Sequence, residues 1–553
     1  MTESSATETP ARSRYFNQPW TWWFMVAVLV LMAAVRLRLL NFSLERDEGE
    51  YAYAGQLMLQ GIPPYELAYN MKFPGTYAAY ALIMALFGET PAGIHFGVTI
   101  MTTLTALMLY WLGKRMLDQT AGVVAAISYA VLAANTALFG LAGHATHFAA
   151  FFATAGLCLM WKARESARWQ MAGAAGIMCG MATLMKQHAA VIGIWAFGIF
   201  AWENFFKNKG RGIRPLWNPA AFGIGAAVPL ALCCLILWCA GVFHQFWFWT
   251  VDYARQYVSI VSISDIGSQL WWSVRSMASE DSWLWLPCLA GFVMIWFDER
   301  LRQTRLWLLG FTLASFLTTV PGFYFRTHYF LLTLPSLGLL AGCAVSGACE
   351  LWRRMAGATR FSQWPAGIYA LLLALTVIKT SDVWFVFARQ DAHALYGAEL
   401  FPEAETVSKF IRANSALDAK IAVLGSEPEI YFLSHRYSAT GYIYAYPLME
   451  PQPFAGAMQR DMIREIETNS PEFMVFVNQN FSWVQAPQSD TTIFRWWNNY
   501  KTNYTTVGLV EENWPQSSRF FWGTNAAAYG KLKGTGLEIY QRRKTPPDAN
   551  SGN

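Results

Sequence analysis

"WTWWFMVAVLVLMAAVRLRLLNFSLERDEGE" (residues 20–50) joins a long apolar run directly to an acidic stretch. Residues 20–40 are enough to cross a bilayer, because a spanning helix needs roughly 20 mostly apolar residues. The run lacks a small-residue cleavage site, so we expect it to remain as a first membrane helix. Asp47, Glu48 and Glu50 follow it closely. The stretch therefore predicts a membrane helix leading into a charged segment at the membrane edge.

The composition extends this prediction to the whole chain. Of 553 residues, 54% are hydrophobic and only 14% are charged, which excludes an ordinary soluble globule and indicates a polytopic membrane protein. The net charge of +5 comes from short basic clusters between apolar runs. Membrane topology explains such clusters better than nucleic-acid binding does, so we expect a bilayer partner and no nucleic acid.

The basic clusters orient the predicted helices. If the N-terminus and the clusters near residues 114, 162–168, 207–214, 300–305 and 353 are cytoplasmic, every assignment agrees with the positive-inside rule. Residues 76–91 form a short apolar segment that we interpret as a re-entrant or interfacial helix, which leaves about eleven crossings. The predicted crossings are 20–40, 92–112, 121–139, 147–162, 171–187, 188–204, 217–241, 281–297, 305–322, 329–348 and 364–386.

The composition changes after residue 386, which divides the chain into a transmembrane domain (1–386) and an extracytoplasmic α/β domain (387–553). Alternating helix and strand patterns in the second domain predict a largely parallel sheet. The predicted helices are 402–413, 428–434 and 457–467, and the predicted strands are 420–425, 441–446 and 472–479. The polar ends, 1–14 and 544–553, are typical of disorder.

The acidic stretch admits two interpretations. Asp47 can cap a helix that runs from Glu48 to about Gln60, with the acidic residues matching the helix dipole. Tyr51 lies one turn further on and shares the face of Asp47. The alternative is a functional site, because the helix begins at the membrane surface and Lys72 follows before the chain re-enters the membrane.

Two further cations lie in apolar surroundings. Lys186 is the only Asp, Glu, Lys or Arg between residues 169 and 202, and Arg326 is the only one between 306 and 349. Charges within spanning segments are costly and usually mark a polar cavity or pathway, although helix ends in headgroup water are an alternative. The topology places both residues on the side of the acidic pair. We therefore predict that they converge with it.

This mixture of charges suits a phosphorylated lipid, whose phosphate the cations would hold while a carboxylate acts as base or metal ligand. His144 and His147 lie on the same predicted side, with a spacing that permits joint metal ligation. Two histidines are a weak metal signal, and polar loop residues are the other interpretation.

Four stretches resemble one family. "RDEGEYAYAGQLM" and "YNMKFPGTYAAYALIMALFG" resemble the first external loop of polytopic glycosyltransferases that use polyprenyl-phosphate sugars, namely the protein O-mannosyltransferases and the lipid A aminoarabinose transferases. Their D-E-x-x-Y and K-x-P elements correspond to Asp47, Glu48, Tyr51, Lys72 and Pro74. "GMATLMKQHA" resembles their G-L-A-x-L-x-K element, and "RTHYFLLTLPSLGLLAG" resembles their R-x-x-Y-x-L-x-x-x-P helix start.

The resemblance implies a GT-C-like helical membrane fold with a C-terminal α/β domain. It also implies inverting transfer of a sugar from a polyprenyl-phosphate donor to a hydroxyl acceptor of unknown kind, at the outer face of the cytoplasmic (inner) membrane. Asp47 would be the base and Glu48 its helper. Substrate or phosphate would be bound by Tyr51, Lys72, Lys186, Arg326 and His328.

A divalent metal cation stays an open expectation. Its candidate ligands are Asp47, His144 and His147, but "HATHF" lacks the carboxylate that many relatives carry in the second external loop. Two other function classes compete with a transferase. A lipid-linked sugar transporter or flippase would use the same intramembrane charges, but the sequence shows no inverted repeat. A binding or assembly protein would leave the acidic loop unexplained.

Overall fold

The computed structural model describes residues 19–166, 168–207, 214–356, 363–386 and 392–543. The polar ends, most of the basic cluster at 207–214 and the predicted domain boundary after residue 386 lie outside these ranges.

The first part of the chain is helical, and each predicted crossing segment contains a helix. Three-residue to six-residue 3-10 and π turns join several of the helices. The helices are α1 (Pro19–Arg38), α2 (Arg46–Leu59), α3 (Gly75–Phe87), α4 (Pro91–Met116), α5 (Gln119–Leu132), α6 (Ala145–Ser166), α7 (Trp169–Met185), α8 (Ala190–Lys207), α9 (Arg214–Cys239), α10 (Phe243–Trp247), α11 (Ala254–Tyr257), α12 (Ile266–Phe297), α13 (Arg305–Leu317), α14 (Leu334–Ala356) and α15 (Trp364–Lys379).

Five helical segments of the described chain are long and apolar enough to cross a membrane: Thr21–Arg38, Pro91–Met116, Gln187–Phe206, Trp217–Cys239 and Leu334–Met355. Others, such as α5 and α13, are apolar but shorter. Helix α3 has 13 residues, which agrees with the predicted short segment. The number of crossings, and whether α3 is one of them, stay predictions.

Small residues let the membrane helices pack closely. A Cβ atom at Gly176 of α7 would lie 2.0 Å from the carbonyl oxygen of Phe222 in α9, and one at Gly225 would lie 2.2 Å from that of Gly173. Close backbone approach of this kind replaces hydrophobic burial as the source of helix association within a bilayer.

The C-terminal part contains a six-stranded mixed sheet in the order β2-β1-β3-β6-β4-β5. Strand β1 runs parallel to β2 and β3, whereas the other neighbouring pairs are antiparallel. The prediction of a largely parallel sheet is therefore wrong, because it missed the last three strands. The strands are β1 (Lys420–Leu424), β2 (Tyr437–Ser438), β3 (Phe473–Asn478), β4 (Tyr504–Glu511), β5 (Arg519–Trp522) and β6 (Gly536–Arg542).

Helices surround this sheet, and three of them were predicted nearly as observed. They are α16 (Ala392–Tyr396), α17 (Phe401–Ala413), α18 (Glu429–Ser434), α19 (Tyr446–Met449), α20 (Ala455–Asn469), α21 (Asn480–Trp483), α22 (Thr492–Tyr500) and α23 (Thr524–Tyr529).

The predicted strand at 441–446 is wrong, because this segment is a turn that leads into α19. Its backbone N–H groups donate mainly to side chains, and the Gly441 carbonyl accepts from the Tyr69 N–H at 2.7 Å, so none of these bonds pairs it with a neighbouring strand. The Tyr442 N–H donates to Thr440 Oγ1 at 3.1 Å, and the Gly441 N–H donates to Glu465 Oε2 at 3.0 Å. Side chains that satisfy nearby backbone groups in this way compete with sheet formation.

The C-terminal part lies directly on α2, in the segment between α1 and α3. A Cβ atom at Gly49 in α2 would lie 2.6 Å from the backbone nitrogen of Glu429 in α18. The Ser438 N–H donates to the Tyr53 hydroxyl at 2.8 Å. The two parts of the chain therefore share one interface at the segment where the acidic residues are found.

Candidate active site

The N-terminus of α2 is capped by Glu45, not by Asp47 as predicted. The Glu45 carboxylate accepts a hydrogen bond from the Glu48 N–H at 3.0 Å, and the Glu48 carboxylate accepts one from the Glu45 N–H at 3.2 Å. This reciprocal pair is a capping box, which satisfies two backbone donors. The predicted helix end is confirmed, because the chain leaves α2 at Gln60 and Gly61 has a φ of 83°. Asp47 is therefore free of the capping role.

The Asp47 carboxylate is instead held by three other side chains. Its Oδ1 atom accepts hydrogen bonds from Lys72 Nζ at 2.9 Å and from the Tyr444 hydroxyl at 2.8 Å, while Oδ2 lies 3.6 Å from His144 Nδ1. Burial opposes ionisation of this carboxyl, but the Lys72 ammonium and the His144 ring outweigh it and hold the pKa of Asp47 well below its usual range. Asp47 is thus ionised at neutral pH, and Oδ2 is its less occupied oxygen.

Lys72 joins two carboxylates. Its ammonium donates to Glu50 Oε2 at 2.6 Å as well as to Asp47, and it lies 4.6 Å from the centre of the Tyr51 ring. Glu50 in turn accepts from the Tyr77 hydroxyl at 2.6 Å. Tyr51 and Asp47 lie close together, as predicted, because both contact Lys72. The Tyr51 ring is buried beneath the ammonium.

The loop between α2 and α3 places Lys72 beside the end of α7. The Tyr65 hydroxyl donates to the Lys72 carbonyl at 2.7 Å, and Gln187 Nε2 donates to the Met71 carbonyl at 2.6 Å. A Cβ atom at Gly75 would lie 2.5 Å from the Leu184 carbonyl oxygen. Only glycine allows this approach, which brings the K-x-P-G segment next to Lys186.

A cavity of about 630 Å³ lies above these residues. Side chains that are far apart in the sequence line it. The predicted convergence of carboxylates and cations is therefore observed. Its wall includes Asp47, Lys72, His144, Lys186, Arg326 and His328 from the helical part, and Tyr396, Glu399, Phe401, Tyr444, Tyr446 and Glu450 from the C-terminal part.

Two cations of the wall differ from Lys72. Lys186 has extended backbone between α7 and the next turn, and its ammonium lies 4.1 Å from the centre of the Tyr329 ring. Arg326 follows Phe325, which has a φ of 43°, and its exposed guanidinium lies 5.3 Å from the centre of the Tyr324 ring. Within the described ranges, no carboxylate forms a salt bridge with either residue.

Glu48 lies behind the cavity wall. Its side chain is fully buried, with Oε1 3.0 Å from His95 Nε2 and also accepting from the Gly143 N–H. These contacts tie the loop that precedes α6 to the start of α2. These contacts suit a residue that positions the His144 loop, which is one of the two roles predicted for Glu48, as a helper of Asp47 or as a group that supports it from behind; its role stays a prediction.

The possible metal ligands differ from the predicted set. Asp47, His144 and His328 place one ligand atom each within 4.8 Å of the others. His147 is not among them, because α6 begins at Ala145 and its first turn carries that ring into the helix bundle, where it is buried. Of the three candidate ligands, Asp47 and His144 belong to the trio, and His147 does not.

The geometry of this trio fits a metal ion poorly. The His144 and His328 rings stack with centres 4.4 Å apart and planes within 3° of parallel. Imidazole lone pairs lie in the ring plane, so parallel rings do not direct them at one point. Lys72 also occupies Asp47 Oδ1. Only Asp47 Oδ2, which lies 3.6 Å from His144 Nδ1, stays open to a cation, and we assign no step to a metal.

The cavity residues from the C-terminal part were missed by the sequence analysis. Tyr444 and Tyr446 come from the segment that was predicted to be a strand, and Glu450 directly follows α19. The alternating tyrosines of "GYIYAY" were the only signal, and they read as ordinary strand periodicity.

Comparisons with known proteins agree with the motifs. The family model described as dolichyl-phosphate-mannose-protein mannosyltransferase matches residues 72–238. An undecaprenyl phosphate-alpha-4-amino-4-deoxy-L-arabinose arabinosyl transferase of Edwardsiella ictaluri is 30% identical over 201 residues, which are 33% of this chain and 36% of that protein. The chain thus aligns with about a third of the length of this curated relative.

Solved structures share the fold over most of the chain. ArnT from Cupriavidus metallidurans bound to undecaprenyl phosphate has a TM-score of 0.55 at 16% identity, covering 85% of this chain and 95% of that one. The apo oligosaccharyltransferase of Archaeoglobus fulgidus has a TM-score of 0.51 at 14% identity, covering 92% and 75%. The chain is thus a multi-pass membrane protein with a GT-C-like fold and a sheet-containing C-terminal region, and its predicted resemblance to glycosyltransferases that use polyprenyl-phosphate sugars is confirmed.

Proposed function

We propose that this chain is a glycosyltransferase that moves a sugar from a polyprenyl-phosphate donor to a hydroxyl acceptor, with inversion at the anomeric carbon. One observation carries the proposal: an ionised carboxylate, Asp47, shares a cavity with two cations, Lys186 and Arg326, that have no salt-bridge partner among the described residues. The cavity thus offers a base together with a place for a phosphate.

The residues support a balanced reaction. The acceptor hydroxyl gives its proton to Asp47 Oδ2 while its oxygen attacks the anomeric carbon. The bond between that carbon and the phosphate oxygen breaks, and the electron pair leaves with the polyprenyl phosphate. Lys186 and Arg326 stabilise the added negative charge through charge-assisted hydrogen bonds. Attack opposite to the leaving group inverts the configuration.

Lys72 acts on the base in this scheme. Because both Asp47 and Glu50 engage its ammonium, it keeps Asp47 ionised and oriented. A low pKa makes Asp47 a weak base, so it collects the proton late, when the attacking oxygen has become acidic. Positioned bases of this kind contribute roughly 10² to 10⁴ in rate.

Asp47→Asn tests the proposal, since it keeps the size of the side chain and its acceptor for Tyr444. We expect the variant to insert, fold and bind lipid-linked sugar normally while losing at least about 100-fold in transfer. Asp418→Asn is a matched control, because Asp418 is exposed on the C-terminal part. Near-normal transfer by Asp47→Asn would contradict the assignment.

We further propose that the cavity and residues 387–553 face the outside of the inner membrane. The predicted alternation of basic loops supports this, and so does the contact between α2 and the C-terminal part. A reporter that is active only in the periplasm should work when it is fused after Arg542. Activity of a cytoplasm-only reporter at that position would contradict this orientation.

The orientation also determines the donor. A compartment that lacks nucleotide sugars requires a sugar already attached to a lipid phosphate. Pure protein should therefore transfer from lipid-linked sugar and not from a soluble nucleotide sugar. Efficient transfer from a nucleotide sugar in the absence of lipid would contradict this part of the proposal.

A further inference from the structure

One end of the cavity is walled by aromatic rings, and we call this end the acceptor chamber: Phe139, Tyr396, Phe401, Tyr444 and Tyr446. Neighbouring rings are in contact around it. Phe139 stacks on Tyr396 with centres 5.8 Å apart, and Tyr396 meets Phe401 edge-on at 5.3 Å. Tyr444 and Tyr446 meet at 5.4 Å.

Asp47 and Arg46 complete the chamber. The Arg46 guanidinium lies 5.5 Å from the centre of the Phe401 ring and 5.6 Å from that of Tyr446, so it links the two halves of the aromatic wall. The Tyr444 hydroxyl donates to Asp47. The proposed base therefore stands at the edge of an aromatic enclosure.

We propose that the acceptor chamber binds an uncharged sugar ring, so that the acceptor of this enzyme is a neutral glycan that presents a hydroxyl to Asp47. This inference rests on the proposed function and adds the class of acceptor to it. Three features of the chamber support it: its charge, its shape and an unsatisfied hydroxyl.

The charge beside the aromatic rings disfavours a phosphorylated acceptor. The arginine that lies over the rings is already paired, because Arg46 Nη2 lies 3.1 Å from Glu399 Oε2 and 3.2 Å from Glu427 Oε1. Arg46 Nε also donates to the Ser426 carbonyl at 2.6 Å. An incoming phosphate would meet the partly exposed Glu399 carboxylate, and like charges at a binding site select against the wrong ligand. Lys186 and Arg326, by contrast, are available to the donor phosphate.

The shape and chemistry of the wall suit a sugar. A pyranose or furanose ring has apolar C–H faces and polar edges. Aromatic rings offer flat apolar area, while tyrosine hydroxyls and carboxylates provide the few placed polar groups that orient a ligand. The chamber combines four such rings from the C-terminal part with Phe139 from the loop before α6.

The Tyr396 hydroxyl provides the third feature. It is buried, and it has no hydrogen-bond partner among the described residues. Buried hydroxyl groups in proteins normally have a partner, so a group that lacks one in the free protein is suited to a ligand. The hydroxyl is shielded from solvent in the free protein, so the Tyr396 ring would have to turn it toward the chamber before a sugar hydroxyl, which can both donate and accept, could satisfy it.

The test offers three acceptors to the full-length protein in nanodiscs. They are neutral oligosaccharides of two to four sugars, the same oligosaccharides with a terminal phosphate, and a peptide rich in serine and threonine. The donor is the radiolabelled lipid-linked sugar fraction extracted from membranes of the source organism. We expect label on the neutral glycans, at least tenfold less on the phosphorylated ones, and none on the peptide.

The outcomes separate the two proposals. Label that goes mainly to the phosphorylated glycan or to the peptide would overturn the inference and leave the proposed function intact. If no sugar leaves the donor with any acceptor or with water, the proposed function fails and this inference fails with it.

Glu399→Lys sharpens the test, because it places a second cation beside Arg46. We expect the preference for neutral over phosphorylated glycan to fall at least tenfold, with Glu399→Gln in between. Asp418→Lys makes the same charge change on the exposed surface and should leave the preference unaltered. An unchanged preference in Glu399→Lys would contradict the charge argument.

Binding of the neutral oligosaccharides tests the role of the aromatic wall without relying on turnover. Saturation-transfer NMR with the neutral oligosaccharides should give a signal with the Asp47→Asn protein. Adding Tyr446→Leu should weaken binding at least tenfold, whereas adding Phe520→Leu, on the exposed strand β5, should not. Equal binding by both double variants, at equal melting temperatures, would contradict the role of the wall.

Discussion

Two sets of cations face the same cavity, and their surroundings differ. Lys72 donates to two carboxylates, Asp47 and Glu50, at 2.9 and 2.6 Å. Lys186 and Arg326 each lie over an aromatic ring, at 4.1 and 5.3 Å from the ring centres, and neither forms a salt bridge among the described residues. The charge of Lys72 is therefore neutralised by its carboxylate partners, whereas Lys186 and Arg326 bring net positive charge to the cavity.

The difference teaches which cation can bind an anion. A paired ammonium must break existing charge-assisted contacts before it can hold a phosphate, and this cost cancels much of the gain. Lys186 and Arg326 lie over aromatic rings and have no carboxylate partner to release among the described residues, although Arg326 also interacts with the Tyr257 hydroxyl. The sequence alone assigned all three residues to substrate or phosphate. In the proposed scheme Lys72 acts on Asp47, which it contacts, and Lys186 and Arg326 are left for the donor phosphate.

Of the variants that test this difference between the cations, Arg326→Met should have the largest effect, which we expect on donor affinity. Removal of a desolvated contact to a phosphate costs about 2 to 5 kcal/mol, so we expect the donor Kd to rise by about 30-fold or more. Turnover at saturating donor should fall less. Binding of polyprenyl phosphate to the purified protein, followed by isothermal titration calorimetry, measures this directly.

Arg255→Met is the control for Arg326→Met, since Arg255 lies on the short helix α11 outside the cavity wall. Arg326→Lys should recover part of the affinity, because it restores the charge without the fork of donors. If Arg326→Met binds polyprenyl phosphate as tightly as the natural protein does, Arg326 does not bind the donor phosphate, and the proposed distinction between the two sets of cations is wrong.

Lys72→Met should act on turnover instead of donor affinity. Without the ammonium, burial and the neighbouring Glu50 carboxylate raise the pKa of Asp47. A base must be ionised to accept a proton, and it is ionised only above its pKa. We therefore expect kcat to fall roughly 10- to 100-fold at neutral pH, and the acid limb of its pH profile to move to higher pH.

Glu50→Gln supplies the contrast to Lys72→Met, because it removes one carboxylate and leaves Lys72 entirely to Asp47. Its acid limb should stay where it is or move to lower pH. An equal loss of donor affinity in Lys72→Met and Arg326→Met would show that the two sets of cations are not distinct.

The two sets also show what sequence can and cannot predict. The membrane helices and the convergence of Asp47, Lys72, Lys186 and Arg326 followed from apolar run lengths and from the cost of charges in a bilayer. Those signals are local or topological. The pairing of carboxylates with cations depends on loop geometry, such as the close approach at Gly75. No local sequence pattern predicts that geometry.

The errors had definite physical causes. Capping by Asp47 was one of two interpretations, because aspartate is a favoured cap residue, but the reciprocal pair of Glu45 and Glu48 satisfies two donors and forms the cap instead. His147 was grouped with His144 by spacing, but the helix begins between them. The segment 441–446 has strand periodicity, and side-chain hydrogen bonds from Thr440 and Glu465 make it a turn.

The smallest effect should come from Tyr444→Phe, which probes the base from the C-terminal side. The Tyr444 hydroxyl donates to the same Asp47 oxygen as Lys72 does, at 2.8 Å, so it helps to direct the other oxygen toward the acceptor. A hydrogen bond to a charged group is worth about 1.5 to 3 kcal/mol, but Lys72 remains in the variant and keeps most of the orientation. We expect kcat to fall about 3- to 10-fold, which corresponds to about 0.6 to 1.4 kcal/mol, with the donor Kd unchanged.

The effect of Tyr444→Phe should also depend on Lys72. When two groups orient one carboxylate, removing the second costs more once the first is gone, so the double variant with Lys72→Met should lose more than the product of the single losses. Tyr442→Phe is the control, because the Tyr442 ring meets the Tyr69 ring edge-on, with centres 5.0 Å apart, and its hydroxyl is not one of the described groups that donate to Asp47. Strict multiplicativity of the two single losses, measured as kcat at saturating donor, would show that Tyr444 acts independently of the pair that holds Asp47.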